Sequence, residues 1–500
     1  MDELIQKYQA IRNKMLAYRF ASFIINWDSN TEAPSGSFEA RSRHFGILSE
    51  DSYKFSTSEE TLSVIEELYK NRNSLDEVLK HEIVEAKTSI DKLKKVPMDE
   101  YVEYMTLLAK SENIWAKAKN TNDWNLFEPI LEKIVAFLRK YVEYTKTPKL
   151  QGYNILLDEY EKGMTQADYD EFFNTIKTDL VPFVKEVTSK TLEYNNSFES
   201  HKFPIEKQKE FMKYIMEVMD YDLTRGLMKE SEHPFTSGIG TTDVRVTNHY
   251  YEDNFISSIF SGIHELGHAT YEQQVDPELD LTLSGGGGSM ALHESQSRFY
   301  ENIIGRSKEF WKEHYPVLKD LFKKELKGIK LDDFYKHINK STTSLIRTEA
   351  DELTYPIHIM IRYDIEKALF NNELEVKDLP KVWKQKVKEY LNIEVPSDKE
   401  GVLQDVHWSG GMFGYFPTYA LGSAYASQMF KVMNKDFNVF KSLSSKNTKE
   451  INAWFKENLH KYGSSKSPKD LFKLCTNQKF NPKHYVNYLI KKYTKIYNLK

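Results

Sequence analysis

Glycine and proline are scarce in this chain of 500 residues, which contains 21 Gly and 15 Pro, fewer than average usage would give. Breaks in the hydrophobic pattern are therefore widely spaced, and Leu, Lys, Glu and aromatic residues recur between them. The sequence also lacks internal repeats of solenoid length. This composition predicts one large, mainly helical body and not three separate small domains.

Long apolar runs are missing as well. No stretch approaches the ~18 apolar residues that a membrane span requires, and the N-terminus is a charged amphipathic helix without a signal peptide's apolar segment. The single cysteine, Cys475, cannot form an internal disulfide, and its helical context "DLFKLCT" favours a buried inert thiol. We therefore expect no membrane partner and a location in the reducing cytoplasm.

An excess of basic charge is the third absence. The 69 Lys and Arg and the 74 Asp and Glu are interspersed and leave a net charge of -5. No basic stripe exists that could neutralise a phosphate backbone. Nucleic acid is therefore not an expected partner.

One short motif carries chemistry. His264, Glu265 and His268 stand in the order H-E-x-x-H within "SGIHELGHATYEQQ". Two histidines one helical turn apart can both reach one ion at the ~2.0–2.1 Å of a Zn–N bond. The glutamate, ~100° around the helix, reaches the water that such an ion activates. The alternative is a pair of surface histidines on a buried helix.

The surroundings of the motif are strongly patterned. We predict a helix that begins after an N-cap at Asp253 or Asn254 and ends before Pro277, because apolar residues recur there at helical spacing. Just before it, Val244 and Val246 alternate with polar residues after a Gly-rich turn. That alternation predicts a short strand or hairpin, with an edge strand beside the helix.

A catalytic zinc site needs a third protein ligand. The metzincin extension is excluded, because Tyr271 and Gln274 stand where glycine and histidine would be required. Glu272 lies one turn beyond His268 and is better placed to orient an imidazole. Glu278 and Asp280 sit beside a proline in a predicted turn.

The predicted third ligand is Glu294, 26 residues after His268. Between them the four glycines of 285–288 cannot be the interior of a helix, and Ser289 is the predicted N-cap of a second helix running toward Gly305. The glycines form either a flexible linker or a loop that lets the backbone approach a ligand. His293 is the alternative ligand, but it faces ~100° away from Glu294.

Several separated motifs, taken together, resemble the carboxypeptidase Taq family of zinc metallocarboxypeptidases. They are "HPF" at 233–235, "DVRVT" at 243–247, "HELGH" at 264–268, "HESQSR" at 293–298, "IRTEADELTY" at 346–355 and "GVLQDVHW" at 401–408. The segments "NWDSNTEAPSGSFEAR" at 26–41 and "YNILLDEYEKGMT" at 153–165 extend the resemblance over nearly the whole chain, with Asn154 and Lys162 where Asp and Pro are expected.

The resemblance implies an all-α, almost wholly helical fold with a deep central groove, similar to neurolysin and angiotensin-converting enzyme. We expect one catalytic domain over 1–500, with an N-terminal helical lobe of about 1–200 and a metal-site and substrate-binding lobe of about 201–500. The resemblance also implies a homodimer that removes C-terminal residues from peptides one at a time with broad specificity.

Roles for individual residues follow from this interpretation. Glu265 is the expected general base and acid. His407 and Tyr419 are candidate donors to the developing oxyanion, since related helical zinc peptidases use a His and a Tyr similarly spaced downstream. Ordinary aromatic packing is the alternative role of Tyr419.

A free C-terminal carboxylate calls for an arginine. Arg347 is the first candidate, with a structural salt bridge to Glu349 or Asp351 as its alternative. Arg245, on the predicted edge strand, is expected either to bind the carboxylate or to pair with Asp243.

The expected substrate-binding set also includes His233 and Asp243, although His233 has the alternative of satisfying a turn. The strand that contains Arg245 is expected to align the substrate backbone by strand addition.

One Zn²⁺ per subunit is the expected cofactor, and Co²⁺ or Mn²⁺ fits the same nitrogen and oxygen ligands. The competing activity is that of a zinc oligopeptidase or dipeptidyl carboxypeptidase of the same helical fold. A non-catalytic peptide-binding scaffold is the alternative from another class. The intact set of His264, Glu265, His268 and Glu294 argues against it.

Overall fold

The computed structural model describes residues 1–499, and helices account for most of them. In the first half they are α1 (Asp2–Thr31), α2 (Phe38–Ser56), α3 (Glu59–Lys70), α4 (Glu77–Lys94), α5 (Met98–Thr121), α6 (Trp124–Thr145), α7 (Asn154–Tyr160), α8 (Gln166–Thr175), α9 (Val181–Thr188) and α10 (Ile205–Val218). The second half contains α11 (Phe255–Gln274), α12 (Met290–Arg298), α13 (Lys308–Leu321), α14 (Leu331–Ile338), α15 (Tyr355–Phe370), α16 (Leu379–Leu391), α17 (Pro417–Asp436), α18 (Val439–Ser442), α19 (Lys449–Asn458), α20 (Pro468–Thr476) and α21 (Lys483–Tyr497). The predicted mainly helical fold is confirmed.

A small sheet of three strands precedes α11. Its strands are β1 (Gly226–Glu230), β2 (Thr236–Gly238) and β3 (Val244–Asn248), in the spatial order β1-β3-β2. β3 pairs in parallel with β1 and antiparallel with β2. The prediction that the strand containing Arg245 is the edge strand is wrong, because partners on both sides place it at the centre. The edge next to α11 is β2.

The bounds of α11 agree with the prediction from the sequence. The side chain of Asn254 accepts a hydrogen bond from the backbone N–H of Ser257, and the helix ends at Gln274, before Pro277. Most of its side chains are buried on all sides and not along one stripe only. α11 is therefore a central helix of the fold, covered by α10, α12 and the sheet.

The second helix of the site also begins where the sequence predicts. Ser289 caps α12 by accepting a hydrogen bond from the N–H of Leu292, and the helix continues through a wider turn until Gly305. α12 crosses α11 closely at Gly267, where an added Cβ would lie 2.8 Å from Cα of Ser297. A side chain at that point would push the two helices apart.

Two separate hydrophobic cores fill the molecule. The smaller one lies among α1, α3 and α4 and consists of Tyr8, Ile11, Val64, Ile65, Leu68, Leu75, Leu79 and Ile83. The larger one draws its residues from Val96 to Tyr493. The residues of the smaller core end before residue 95 and those of the larger core begin after it. The expected division into lobes of 1–200 and 201–500 stays a prediction. A cleft of about 680 Å³ lies between α4 on one side and the segments 283–289 and 464–468 on the other.

The sequence also predicts a buried thiol at Cys475 and no membrane-spanning helix. Cys475 is 3% exposed, and burial raises the pKa of its thiol above the ordinary range. The prediction of a buried thiol is confirmed. Across residues 1–499, no helix combines the length and the apolar character that crossing a bilayer demands.

One fully buried carboxylate ties distant segments together. Glu366 on α15 accepts hydrogen bonds from the hydroxyl of Tyr153 at 2.6 Å, the indole N–H of Trp408 at 2.7 Å and the backbone N–H of Gly414 at 2.7 Å. Burial raises the pKa of Glu366 from 4.5 to about 7, although these donors act in the opposite direction. Its charged form is therefore costly in the folded protein.

This cost predicts a pH-dependent difference in stability. A carboxyl whose pKa is raised by folding contributes stability below its unfolded pKa, and that contribution is lost as the pH rises through the folded value. Glu366→Gln removes one acceptor but cannot ionise. We expect the Tm of the variant to lie below that of the wild type at pH 5 and the difference in Tm to become smaller by pH 8. The raised pKa limits this pH-dependent change in the free energy of unfolding to about 3 kcal/mol.

Thermal denaturation across that pH range measures the effect. Glu373→Gln, at an exposed position close by, is the matched control and should follow the wild type. A gap that stays constant from pH 5 to 8 would contradict the expected titration of Glu366.

Candidate active site

Three side chains from α11 and α12 converge on one point. Nε2 of His264 and Nε2 of His268 each lie 3.7 Å from Oε2 of Glu294. All three atoms lie within 4.8 Å of one another. The structure thus brings together the two histidines of the motif and the carboxylate that the sequence placed on the following helix.

His264 is oriented by a charged network on its far side. Its Nδ1 lies 2.8 Å from Oε2 of Glu301, which also receives Nη1 of Arg298 at 3.2 Å, while Nη2 of Arg306 lies 3.5 Å from Oε1. Against the effect of burial, the charge of Arg298 above all holds the pKa of Glu301 well below its usual range. The ionised Glu301 accepts a hydrogen bond from the Nδ1–H group of His264. The other ring nitrogen, Nε2, then carries a lone pair, and this lone pair faces Glu294.

His268 is oriented differently, through another histidine. Its Nδ1 lies 2.6 Å from Nδ1 of His293, and Nε2 of His293 lies 2.6 Å from Oε1 of Glu272. The backbone N–H of Gly287 donates to the same carboxylate oxygen at 3.0 Å. Burial, followed by the charge of His293, lowers the pKa of His268, which therefore stays neutral at physiological pH.

This arrangement clarifies two expectations from the sequence. Glu272 does orient an imidazole, but that imidazole belongs to His293, which in turn contacts His268. His293 stands behind His268 and outside the converging set. The glycine loop packs against this chain of contacts, since a Cβ on Gly287 would lie 2.7 Å from Cδ2 of His293.

The converging atoms fit a divalent cation. Two imidazole nitrogens and one carboxylate oxygen are the donor set of a catalytic zinc site with three protein ligands. With both Nδ1 atoms engaged, the lone pairs of His264 and His268 point at the carboxylate of Glu294 in a buried position. Oε1 of Glu294 accepts a hydrogen bond from Nε of Arg298 at 2.6 Å, which leaves Oε2 facing the two imidazole nitrogens as the oxygen donor for a cation.

Glu265 lies beside this set and is 8% exposed. The hydroxyl of Thr236, on the edge strand β2, donates to its Oε2 at 2.7 Å and to its backbone oxygen at 2.9 Å. Burial raises the pKa of Glu265. A carboxylate with a raised pKa, held in one orientation, suits a group that accepts and returns a proton near neutral pH.

The two downstream donor candidates lie together at the start of α17. The ring centroids of His407 and Tyr419 are 6.2 Å apart. Burial, together with the charge of Arg347, lowers the pKa of His407 to about 4, while burial raises that of Tyr419 above its usual range. At neutral pH, therefore, His407 is an uncharged imidazole and Tyr419 retains its proton.

A neighbouring hydroxyl, that of Tyr415, was not among the site residues predicted from the sequence. Tyr419 donates to it at 3.3 Å, and the ring of Tyr415 stacks on His407 with centroids 5.4 Å apart. The signal was present in the sequence, because residues 415 and 419 are one helical turn apart.

Arg347 forms a salt bridge, but not with the partners expected. Its Nε and Nη2 lie 3.1 and 3.0 Å from Oδ1 of Asp405, and Nη1 donates to the hydroxyl of Tyr355 at 3.3 Å. The expected alternative partner Asp351 instead accepts hydrogen bonds from Ser341, Thr342 and Thr354. The guanidinium lies 5.3 Å from the ring centre of Tyr419. Arg347 is thus adjacent to the donor candidates, with part of its hydrogen-bonding capacity already used.

Arg245 pairs with Asp243, one of its two expected alternatives. Nε and Nη2 of Arg245 donate to the two carboxylate oxygens of Asp243, each at 2.7 Å. The guanidinium also lies 5.0 Å from the ring centre of Phe23 and 5.5 Å from that of Trp27, both on α1. These contacts dock the N-terminal helix onto the sheet.

His233 lies in the turn before β2. Its side chain is exposed, and its backbone oxygen accepts the hydroxyl of Ser231 at 2.6 Å. Among the described residues no hydrogen bond joins His233, Asp243 or Arg245 to the converging set, so their substrate-binding roles stay predictions.

A cavity of about 230 Å³ runs along the site. Its walls are α1, β2 with the following turn, and the glycine loop, and it reaches Glu272 and His293. Because Ser237 pairs directly with Arg245, residues 235, 237 and 239 direct their backbone groups toward β3. The backbone groups of Thr236 and Gly238 therefore point away from the sheet.

A buried H-E-x-x-H helix with a carboxylate from a neighbouring helix, in a helical fold with a groove, defines a metal-dependent peptidase. The profile of the carboxypeptidase Taq (M32) metallopeptidase family matches residues 7–493. The chain belongs to this family and is a metal-dependent carboxypeptidase.

Named relatives agree over the full length. Carboxypeptidase 1 of Bacillus subtilis is 42% identical over 483 residues, which cover 96% of each protein. Thermostable carboxypeptidase 1 of Thermus thermophilus is 33% identical, with 94% of each covered. The crystal structure of an M32 carboxypeptidase from Deinococcus radiodurans superposes with a TM-score of 0.95 at 28% identity, covering 99% of this chain and 100% of that one.

The packing around Glu294 predicts the effect of one added methyl group. Gly422 on α17 lies against Glu294, and a Cβ there would stand 2.7 Å from both Cβ and Cγ of that side chain. Gly422→Ala should displace the carboxylate and weaken the binding of a divalent cation, tested with Zn²⁺, by at least about tenfold, since ligand distances tolerate only ~0.2 Å.

Competition with a chromophoric chelator measures the zinc affinity. Gly46→Ala, which meets no atom within 4 Å, is the control and should bind zinc like the wild type. An unchanged affinity in the Gly422 variant would contradict the packing argument.

Proposed function

We propose that the enzyme binds one Zn²⁺ per subunit through His264, His268 and Glu294. The support is the convergence of their ligand atoms together with the hydrogen bonds that fix both Nδ1 atoms. Co²⁺ and Mn²⁺ accept the same nitrogen and oxygen donors. A cation held there polarises the scissile carbonyl and acidifies the attacking water.

Glu265 takes the proton from that water and delivers it to the leaving amine. Its Oε2 is occupied by Thr236, whereas no described residue hydrogen-bonds to Oε1. One oxygen thus anchors the side chain, and the other is available for the transferred proton. The raised pKa of the carboxyl makes it a stronger base and so favours uptake of the proton from the water.

The negative charge that develops on the carbonyl oxygen is stabilised by hydrogen bonds from Tyr419 and His407. Tyr419 is protonated at neutral pH and lies in a half-buried cluster, where a hydrogen bond to an anion is worth more than in water. Tyr415 orients the hydroxyl of Tyr419 by accepting its hydrogen bond in the free enzyme.

The substrate backbone lies along β2, whose outward groups at Thr236 and Gly238 are free of the sheet. Strand addition there brings the peptide past Glu265, since the side chain of Thr236 contacts that residue. Arg347 binds the free C-terminal carboxylate through the N–H groups that Asp405 leaves available. Arg245, Asp243 and His233 serve the substrate indirectly, by fixing α1 and the turn before β2.

The enzyme releases single C-terminal amino acids with broad specificity. Activity as an oligopeptidase or dipeptidyl carboxypeptidase is not favoured, because the named relatives are carboxypeptidases over almost their whole length. We further propose a homodimer that works in a reducing cytoplasm. α2 buries none of its side chains and exposes Phe38, Ile47 and Tyr53, and the buried Cys475 has no disulfide partner.

Replacement of the proposed base separates chemistry from metal binding. Glu265→Gln keeps the shape and the hydrogen bond from Thr236 but cannot accept a proton. We expect kcat to fall by at least about 10²-fold, with zinc content unchanged. Hydrolysis of a blocked dipeptide and elemental analysis of the same sample test this, and an active variant would refute the role of Glu265.

The products of peptide digestion test the proposed specificity. A decapeptide with a free C-terminus should yield a ladder that shortens by one residue at a time, observed by mass spectrometry. Its C-terminal amide should react about 10- to 100-fold more slowly, the worth of a charge-assisted hydrogen bond.

A single variant tests whether Arg347 causes the preference for a free C-terminal acid over its amide. Arg347→Gln should reduce the preference for the free acid, a ratio that a general loss of stability does not change. Release of dipeptides or internal fragments would contradict the exopeptidase assignment, and an unchanged acid-to-amide ratio would remove Arg347 from carboxylate binding.

A further inference from the structure

The segment 153–161, "YNILLDEYE", contains α7 and contacts both halves of the site. It comes from the N-terminal third of the chain and supplies no group to the chemistry described above. Leu156 and Tyr160 of the segment meet the loop after His407, and Glu161 meets the first turn of α12.

The contact with the loop is close and hydrogen-bonded. Tyr153 donates to Glu366, the carboxylate that also binds the indole of Trp408 and the N–H of Gly414. Gly414 has a φ of 88°, and a Cβ there would lie 2.5 Å from the backbone oxygen of Leu156. No other residue type fits this close approach, so the loop lies directly on α7.

Tyr160 extends the contact to the donor groups. Its ring meets that of Tyr415 edge to face, with centroids 5.1 Å apart. Tyr415 in turn stacks on His407 and accepts the hydrogen bond of Tyr419. The end of α7 therefore supports the cluster of donors from behind.

Glu161 makes the contact with α12. Its side chain is 0% exposed, and its two oxygens accept hydrogen bonds from the hydroxyl of Ser289 at 2.8 Å and from the backbone N–H of Ala291 at 3.1 Å. Among residues 1–499 it has no ion-pair partner. A carboxylate at this end of a helix satisfies N–H groups that the helix leaves free and interacts favourably with its dipole.

The first turn of α12, which Glu161 contacts, lies next to the proposed metal ligand Glu294. Ala291 and Glu294 are three residues apart on α12, and therefore on the same side of the helix one turn apart. Gly422 packs against this same side of the helix, where an added Cβ would lie 2.7 Å from Cβ of Glu294 and 3.1 Å from the backbone oxygen of Ala291. The position of the first turn of α12 thus determines where the carboxylate of Glu294 lies.

We propose that Glu161 is a positioning residue for the metal centre, because it holds the first turn of α12 so that Glu294 reaches His264 and His268. Through the same segment, α12 and the loop with the donor groups keep a fixed separation. This inference rests on the proposed role of Glu294 as a ligand.

The test compares metal binding by four forms of the full-length protein: wild type, Glu161→Gln, Glu159→Gln and Glu294→Gln. Each is stripped with a chelator and titrated with Zn²⁺ against a chromophoric competitor. Glu161→Gln offers an amide N–H₂ group to a helix end that needs acceptors, and its zinc Kd should rise at least tenfold. Glu159→Gln removes a charge two residues away, at an exposed ion pair with Lys92, and should leave the Kd unchanged.

Further readouts separate positioning from loss of fold. The Tm of stripped Glu161→Gln should fall by no more than a few degrees, and the visible spectrum of its Co²⁺ form should change in band position or intensity. Ser289→Ala, which removes one of the two donors to Glu161, should raise the zinc Kd by a smaller factor and serves where Glu161→Gln does not fold.

The outcomes distinguish this proposal from the proposed function. If Glu294→Gln binds zinc as the wild type does, the ligand assignment itself fails. If Glu294→Gln loses zinc while Glu161→Gln and Ser289→Ala keep the wild-type Kd and Co²⁺ spectrum, the ligand assignment stands and the positioning role of Glu161 is refuted.

Discussion

The close crossing of α11 and α12 governs the site, because two of the converging side chains lie on one helix and the third on the other. The crossing is permitted by Gly267, whose missing side chain lets α11 approach the backbone of Ser297. Gly422 on α17 likewise lets that helix approach α12 closely, against Glu294 and the backbone of Ala291. Packing between backbones therefore determines where the carboxylate stands, before any ion is bound.

The two imidazoles are supported by chemically different groups. His264 faces Glu301, a carboxylate kept ionised by two arginines, whereas His268 faces the imidazole of His293. The carboxylate of Glu301 makes the imidazole of His264 a stronger electron donor to a metal. The neutral ring of His293 has a smaller effect on His268, and it depends on Glu272 for its own orientation. The glycine loop completes the second support through a backbone N–H, which explains why this loop is not a mere linker.

Much of the site could be predicted because its signals are local. The N-caps Asn254 and Ser289 and the motif itself depend on residues within a few positions of one another, and the carboxylate of Glu294 lies on the next helix along the chain. The mainly helical fold was also predictable, from the scarcity of glycine and proline, whereas the groove came from resemblance to a family and not from residue patterns.

Interactions between segments that are distant along the chain could not be predicted from the sequence. Arg347 pairs with Asp405, 58 residues further on, and no spacing rule indicates that partner. The strand containing Arg245 looked like an edge strand, because alternation shows which faces are buried but not which strand lies at the centre. The parallel pairing with β1 decides that point, and it joins residues that are separated along the chain.

The separate small core has a thermodynamic consequence. α1, α3 and α4 pack mainly on one another, and α1 reaches the rest of the molecule through Phe23, Trp27 and a few polar contacts with the sheet. Cooperative units of unfolding follow such divisions in packing. We therefore expect α1 and α3 to open at a lower free energy than the helices that carry the metal centre, which belong to the larger core.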